Sequence, residues 1–526
     1  MSQQKDKTPG PTQTSSAPSP PHFDTIVVGA GSAGAVIAAR VSEDPNRTVC
    51  LIEAGPDYPL LNETPADLVN SHNNSYVDHD WHLDYEPTRG RVVPFPRGRV
   101  TGGSSAVNTT IALRGVPEDY DEWADSGCDG WQWDDVLPAF KRLERDLDFG
   151  NADYHGDAGP ISIRRYPTAE LLPQHQAFLA TSTDLGYAQS ADANDPDGWG
   201  AGPHPMNKLG RLRVSTAVGY LAPARVRPNL SIRADSHVRR LLIRNQRCYG
   251  LELESGGEVH TLTANTVVLS AGALMSPTIL MRSGIGPRQQ LAAHGIDVVL
   301  DAPGVGANLS DHPALAVAAT VRDGSIIDTD SPLIQTILRY TAEGSNKRND
   351  LQIEQISFAN NRHGPGFVIA CVLEYQYGRG ELRLRSADPH DPPVVDNHFC
   401  EDTRDATRLT QCFRDTLAFT KTGSLAEMID QVTYPDPARA MSDDDIMARC
   451  RTHAGSGFHP CGTVRMGDSS DGAVVDSRGR CYGIDGLVVA DASIMPSVPR
   501  ANTNLTCIMI GEKIGEWLRT EPDSFL

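Results

Sequence analysis

Residues 23–55 read FDTIVVGAGSAGAVIAARVSEDPNRTVCLIEAG, and this one stretch sets the fold class. Asp24 to Val28 is a short apolar run of strand type, Ser32 to Ser42 carries helical spacing, and Thr48 to Ile52 reads as a second strand. Gly29, Gly31 and Gly34 form G-x-G-x-x-G at the first strand-to-helix junction. The first glycine permits the tight turn, the second lets a pyrophosphate approach the backbone, and the third lets helix and strand pack closely. Glu53 closes the second strand, placed to accept hydrogen bonds from a ribose hydroxyl. A glycine turn of purely structural purpose would leave that acid unexplained. The expectation is an α/β protein with a Rossmann-like dinucleotide-binding domain.

The remainder of the chain narrows the class. At 526 residues it is too long for one small core, so two or three domain-sized units are expected. A formal net charge of -20 disfavours nucleic acid and anionic membrane surfaces as partners. No apolar run approaches the ~18–20 residues that span a bilayer. Residues 1–21 are polar and rich in Pro, Ser and Thr, read as a disordered tail without a secretory h-region. The 10 cysteines are scattered singly, a pattern of reduced thiols in a cytoplasmic protein, and no zinc or other metal is expected. His72, His79, Asp80 and His82 have ligand-type side chains, but their polar stretch reads as a solvated or lid loop.

Two further segments bear on function. GRVTGGSSAVNTTIALRG, residues 98–115, is rich in small residues whose free amides suit close approach to an extended ligand such as a flavin dinucleotide. GSGFHPCGTVRMG, residues 455–467, places His459 between glycines and a proline. Alone, that stretch leaves open a core histidine, a metal ligand or a base.

Taken together, these stretches resemble the glucose–methanol–choline (GMC) family of flavin oxidoreductases over residues 22–520. GRVTGGSSAVN is similar to the first family signature, departing from it at Thr101, where an aliphatic residue is usual. GALMSPTILMRSGIG (272–286) fits the second signature. PGVGANLSDH (303–312) and VVADASIMPSVPRANTNLTCIMIGEKI (488–514) resemble the segments that follow. The resemblance implies FAD as cofactor. Gly29, Gly31, Ser32, Ala33 and Gly34 would lie at the pyrophosphate, with Glu53 and Ala54 at the adenosine ribose and Val238 at the adenine. Arg99, Gly103 and Ser104, then Asn108, Thr109, Thr110 and Ile111, would line the flavin. Ala271, Asp491, Ala492 and Thr503 would complete its binding. His459 matches the catalytic histidine and Asn502 the second active-site position; Asn504 is a close competitor, and the offset to Lys513 favours Asn502. Some relatives attach the flavin through a histidine where this chain has Val107, so non-covalent FAD is expected.

The FAD-binding domain would be discontinuous, built from 22–165, 230–320 and 455–526. Residues 166–229 and 321–454 would form a substrate-binding domain on an antiparallel sheet flanked by helices. A hairpin is expected at 249–262 around Gly256-Gly257. The strand within GRGELRLRSADPHDPPVVD (378–396) is a candidate pocket floor, with residues around Phe367 to Tyr375 facing either substrate or core.

An alcohol's hydroxyl proton leaves at neutral pH only with a base of matched pKa, which suits histidine. The expected reaction is oxidation of a small-molecule primary alcohol, aromatic and furanic alcohols among the candidates, with His459 as general base and O₂ or a quinone or redox carrier as acceptor. DYDEWADSGCDGWQWDDVLPAF (119–140) and YHGDAGPISI (154–163) look most like bacterial aryl-alcohol and 5-hydroxymethylfurfural oxidases of the family. The alternative is a choline- or alcohol-dehydrogenase-like enzyme passing electrons to a quinone or redox carrier, mycofactocin-associated dehydrogenases included. Further alternatives are hydroxynitrile lyase chemistry and a non-catalytic flavoprotein.

Overall fold

The computed structural model describes residues 20–322, 328–361, 364–436 and 441–526. Residues 1–19 of the expected tail lie outside this set.

Two large sheets organise the chain. In the first, the strands Leu230–Arg233, Val49–Ile52, His22–Val28 and Glu258–Leu269 run parallel in that spatial order, and Leu487–Val489 extends the parallel set beside Val267–Leu269. The apolar runs IVV and VCLI are fully buried, as strands covered on both faces must be. Helix Gly34–Val41 buries seven of its eight residues and lies against the C-terminal helix Thr503–Thr520. There Gly511 lets the two backbones meet, since a Cβ on it would stand 2.8 Å from the Ala33 carbonyl oxygen. The expected hairpin joins Arg247–Ser255 to Glu258–Leu269. Its two-residue loop, Gly256-Gly257, has φ of +61° and +81°, the geometry whose twist matches that of the paired strands.

The second sheet is antiparallel throughout, in the order Ile429–Tyr434, Pro313–Val321, Gly364–Leu373, Leu351–Asn361, Ile334–Tyr340, Gly200–Pro203. Helices Pro173–Asp184 and Thr403–Phe419 pack on it. Pro313–Val321 pairs here although the expected division assigned residues to 320 to the nucleotide-binding part. A short edge strand, Gly455–Ser456, pairs with Pro313 and Ala314, and this pairing delivers the histidine loop to the functional site. The expected pocket floor is corrected: Glu381–Arg383 pairs with Val394–Asp396 in a separate four-stranded sheet and does not border the cavity described below.

No described helix is long and apolar enough to cross a membrane.

Candidate active site

A continuous cavity runs from the glycine turn of the first sheet to one face of the second. Its nucleotide end is built by backbone close approach. Gly29 has φ +95°, and a Cβ on it would meet the Ser270 carbonyl oxygen at 2.5 Å; a Cβ on Gly34 would lie 2.0 Å from the Gly29 carbonyl oxygen. Glu53 braces the turn, accepting from the Ala30 and Gly55 amides at 2.9 Å each. Burial pushes its carboxyl up to about 7 against those hydrogen bonds.

The N-termini of three helices, Gly34–Val41, Gly272–Arg282 and Thr503–Thr520, reach the cavity through Ala33, Ala271 and Gly272, and Asn502 to Asn504. Their unsatisfied amides and dipoles favour an anion. The Asn504 side-chain nitrogen faces the same space without a partner. Narrow glycine walls, converging donors and an orphaned amide fit a dinucleotide pyrophosphate.

Most expected cofactor residues border this cavity: Gly29, Gly31, Ser32 and Ala33; Glu53 and Ala54; Gly103, Ser104, Asn108, Thr109 and Ile111; Val238 and Ala271; Asp491, Ala492, Asn502 and Thr503. Asp491 does so with its carboxylate already taken up by the Gly272 amide, the Ser276 hydroxyl and the Ser493 amide, at 2.8, 2.6 and 2.7 Å. Three expected residues do not line the cavity. Gly34 is buried under the turn, where it packs helix on strand. Arg99 is exposed and sits over the Trp81 ring. Thr110 is buried at φ +62°, its amide tied to Asn108 Oδ1 at 2.9 Å.

His459 and Asn502 come together at the far end. Asn502 Nδ2 lies 3.0 Å from His459 Nε2. Asn502 is the N-cap of the last helix yet makes no side-chain cap bond; its amide is turned to the imidazole instead. Asn504 accepts from the Ser32 hydroxyl at 2.9 Å, so the two asparagines have separate duties.

The loop around His459 is held from several sides. The Asp311 carboxylate accepts the His459 amide at 2.9 Å, the His312 amide at 2.7 Å and the Ser456 hydroxyl at 2.5 Å. Phe458 adopts φ +67°, strained for a bulky residue. Its amide donates to Ser456 Oγ at 2.6 Å, and its carbonyl accepts from Arg97 at 3.0 Å. Gly457 admits the two imidazoles: a Cβ there would stand 3.2 Å from both His312 Cβ and His459 Nδ1. His459 Nδ1 then meets His312 Nδ1 at 2.9 Å. Burial, reinforced by His312 and Arg97, holds the His459 imidazole well below the ordinary histidine value. This arrangement offers a neutral, oriented base beside an amide donor.

Sequence reasoning passed over Asp311, His312, Arg97 and Phe458, although Asp311-His312 stood in a quoted motif. It also passed over Gln352 and Glu354 on the cavity face of the second sheet. Their signal was the polar alternation of LQIEQIS within an otherwise apolar run. Of the stretch Phe367 to Tyr375, Val372 and Glu374 border the cavity, while Phe367, Ile369 and Cys371 are buried on the opposite face. His72, His79, Asp80 and His82 go to separate partners: the Asp330 carbonyl, Tyr58, the Arg97 amide and Asp80 itself.

Comparison with known proteins places the chain in a family. The GMC oxidoreductase family models match residues 23–314 and 376–511. The chain is 36% identical to 5-(hydroxymethyl)furfural oxidase of Methylovorus sp. strain MP688, over 95% of this chain and 99% of that protein. It is 34% identical to mitochondrial choline dehydrogenase of Mus musculus, over 95% and 90%. Pyridoxine 4-oxidase from Mesorbium loti superposes with a TM-score of 0.86 at 30% identity, covering 94% of this chain and 98% of that one. By family matches at both ends and relatives spanning nearly its whole length, the protein belongs to the GMC oxidoreductase family.

Proposed function

We propose that this protein oxidises a primary alcohol to the aldehyde, with non-covalently held FAD, His459 as general base and Asn502 as the group that orients the hydroxyl. The observation that carries the reading is the His459–Asn502 pair at one end of a cavity whose other end is the glycine turn and Glu53. Bound FAD supplies the two-electron acceptor for the hydrogen that leaves carbon. The chain does the rest. Neutral His459 takes the hydroxyl proton on Nε2, and the Asn502 amide donates to the alcohol oxygen, fixing the carbon in place. Pro460, which has no N–H and a fixed φ, stiffens the chain just after the base.

General-base catalysis contributes about 10²–10⁴ in rate. His459→Ala is expected to slow anaerobic flavin bleaching by that factor with FAD still bound, and near-normal bleaching overturns the assignment. Bleaching by an alcohol also decides against a lyase or an idle flavin. Val107 borders the cavity without a nucleophile, so acid precipitation should release all yellow colour; colour left on the protein overturns the non-covalent reading.

We assign O₂ as the acceptor, as in an oxidase, which hydrogen peroxide formed in air would support. The resemblance to a choline dehydrogenase favours a second reading, a quinone or redox carrier, which turnover only with an artificial quinone would support. All ten cysteines are unpaired and buried, in keeping with a reducing, cytoplasmic compartment.

A further inference from the structure

The wall of the cavity beyond His459 is one face of two paired strands. Gln352, Glu354 and Ile356 alternate along Leu351–Asn361. Val372 and Glu374 continue the same face along and just past Gly364–Leu373, with Gln352 opposite Val372. The alternation of a pleated strand puts these five toward the cavity and Ile353, Gln355 and Cys371 on the other side.

This wall presents more acceptors than donors. Gln352 and Glu374 are 3% and 1% exposed, and Gln352 Oε1 and Glu374 Oε2 have no hydrogen-bond partner. Glu374 Oε2 lies 3.3 Å from His312 Nδ1, but that nitrogen is already engaged with His459. Glu354 keeps only long contacts, 3.4 Å to Gln352 Nε2 and 3.5 Å to His204 Nε2. Among the described residues bordering the cavity, the cation is Arg97. Its guanidinium is held by the Pro96 and Phe458 carbonyls and stacked on Phe95. Arg339, the cation that acts on Glu374, does not border the cavity and donates to the Ala193 and Arg500 carbonyls. Burial pushes Glu374 up to about 8, opposed by Arg339 and reinforced by neighbouring Glu354.

Buried acceptors with no donor, beside two carboxyls with no cation of their own, ask for a ligand that brings both. We propose that the substrate is an amino alcohol whose protonated primary or secondary amine is received by Gln352, Glu354 and Glu374 while its hydroxyl faces His459. A quaternary ammonium brings charge but no N–H, and a diol brings a second hydroxyl donor but no charge; each meets half of the requirement. Tyr76, Leu333, Ile334 and Ile356 border the same space and suit an apolar spacer between the two groups. This inference rests on the alcohol-oxidation reading above.

The test uses the FAD-loaded enzyme and four para-substituted benzyl alcohols, bearing hydrogen, aminomethyl, trimethylammoniomethyl or hydroxymethyl, together with an ω-amino alkanol series to vary the spacer. The second-order rate of anaerobic flavin bleaching is expected to be at least about tenfold higher for an amine-bearing alcohol than for its neutral, quaternary and diol counterparts. Glu354→Gln should bring that ratio toward one, and Gln352→Leu should lower it if the first variant does not fold. Equal or lower rates for every amine, or a ratio unchanged in the variants, overturn the inference while leaving alcohol oxidation in place. A methyl ether of the preferred amino alcohol, which cannot be oxidised, should bind and perturb the flavin spectrum more weakly in Glu354→Gln. If no alcohol bleaches the flavin, the oxidation reading falls. The ether titration then still judges the amine site: no difference between the amine and its neutral analogue overturns it.

Discussion

Nδ1 of His312 lies 2.9 Å from Nδ1 of His459, and since two lone pairs repel, one ring must donate to the other. The Asn502 amide nitrogen faces Nε2 of His459 at 3.0 Å, so Nε2 is the acceptor there and Nδ1 carries the proton that goes to His312. This tautomer leaves the basic nitrogen on the cavity side. His312 therefore fixes which nitrogen of His459 is the base.

His312→Leu should leave the His459 Nδ1–H buried and unpaired. Such an orphan costs about 1–3 kcal/mol, which corresponds to roughly fivefold to 150-fold slower flavin bleaching when it falls on the reacting state. FAD content should not change. A wild-type rate in this variant would show that the ring is held without its neighbour.

The pH profile follows from the same surroundings. His459 is held well below the ordinary histidine range by burial first, then by His312 and Arg97. As a neutral base it should stay competent as pH falls through 6.5 and lose activity only in more acid solution. Asp311 complicates the acid side, because burial raises it to about 6 and its carboxylate accepts from three groups of the histidine loop. A descending limb near pH 6 is expected to disappear in Asp311→Asn. A limb centred at or above 6.5 in both proteins would place the base in different surroundings.

The glycine turn separates two kinds of cost. Gly34→Ala puts a Cβ 2.0 Å from the Gly29 carbonyl oxygen, a clash that only movement of the strand-to-helix junction relieves. Gly295, away from the cavity, has φ +68° but nothing within 4 Å of a built Cβ, so Gly295→Ala costs only left-handed strain, about 1–2 kcal/mol. Purified Gly34→Ala should carry little FAD or fail to accumulate, whereas Gly295→Ala should retain FAD with a modestly lower melting temperature. The reverse order would mean that crowding at the turn is not what demands glycine.

These contrasts mark how far the sequence could be read. The Gly29–Gly34 turn, the Gly256-Gly257 hairpin and the His459–Asn502 pair were legible because local spacing or ordered motifs carried them. Arg99 and Thr110 were misplaced because loop backbone, at φ +62° for Thr110, turns neighbouring residues to different sides with no periodicity to follow. Gln352 and Glu354 stayed hidden for another reason. The polar alternation of LQIEQIS marks a two-faced strand, but which face meets the cavity is set by pairing across the second sheet. His312 lay in plain view, but its role exists only because the edge strand Gly455–Ser456 brings a loop more than a hundred residues away beside it.

A last prediction concerns a buried charge cluster behind the flavin-lining loop. Arg114 follows that loop and ion-pairs with Glu144. His155 Nδ1 bonds Glu144 at 2.7 Å and its Nε2 bonds Asp192 at 2.8 Å; Arg165 reaches Asp146 at 2.6 Å and Asp192 at 2.5 Å. Three carboxylates face two guanidiniums, so a protonated His155 balances the set, and both its ring nitrogens need protons to donate. Against a burial penalty, Asp192 and Glu144 hold His155 above its ordinary value. Against burial, His155 first, then Arg165 and the Asn194 amide, hold Asp192 down to about 2. A raised histidine stabilises fully below its unfolded value of about 6.5 and loses that contribution as pH rises through its folded value. A depressed aspartate stabilises above its unfolded value of about 3.9 and loses it as pH falls toward 2. The cluster's contribution should therefore be greatest between roughly pH 4 and 6.5 and decline on the alkaline side. His155→Leu leaves two buried carboxylates short of a cation, a class of change costing about 3–5 kcal/mol, and should remove the alkaline decline. Because the two guanidiniums and the imidazolium already neutralise the carboxylates, dialysis against a chelator should leave the melting temperature unchanged. A chelator-sensitive melting temperature would instead assign Glu144, Asp146 and His155 to a bound cation.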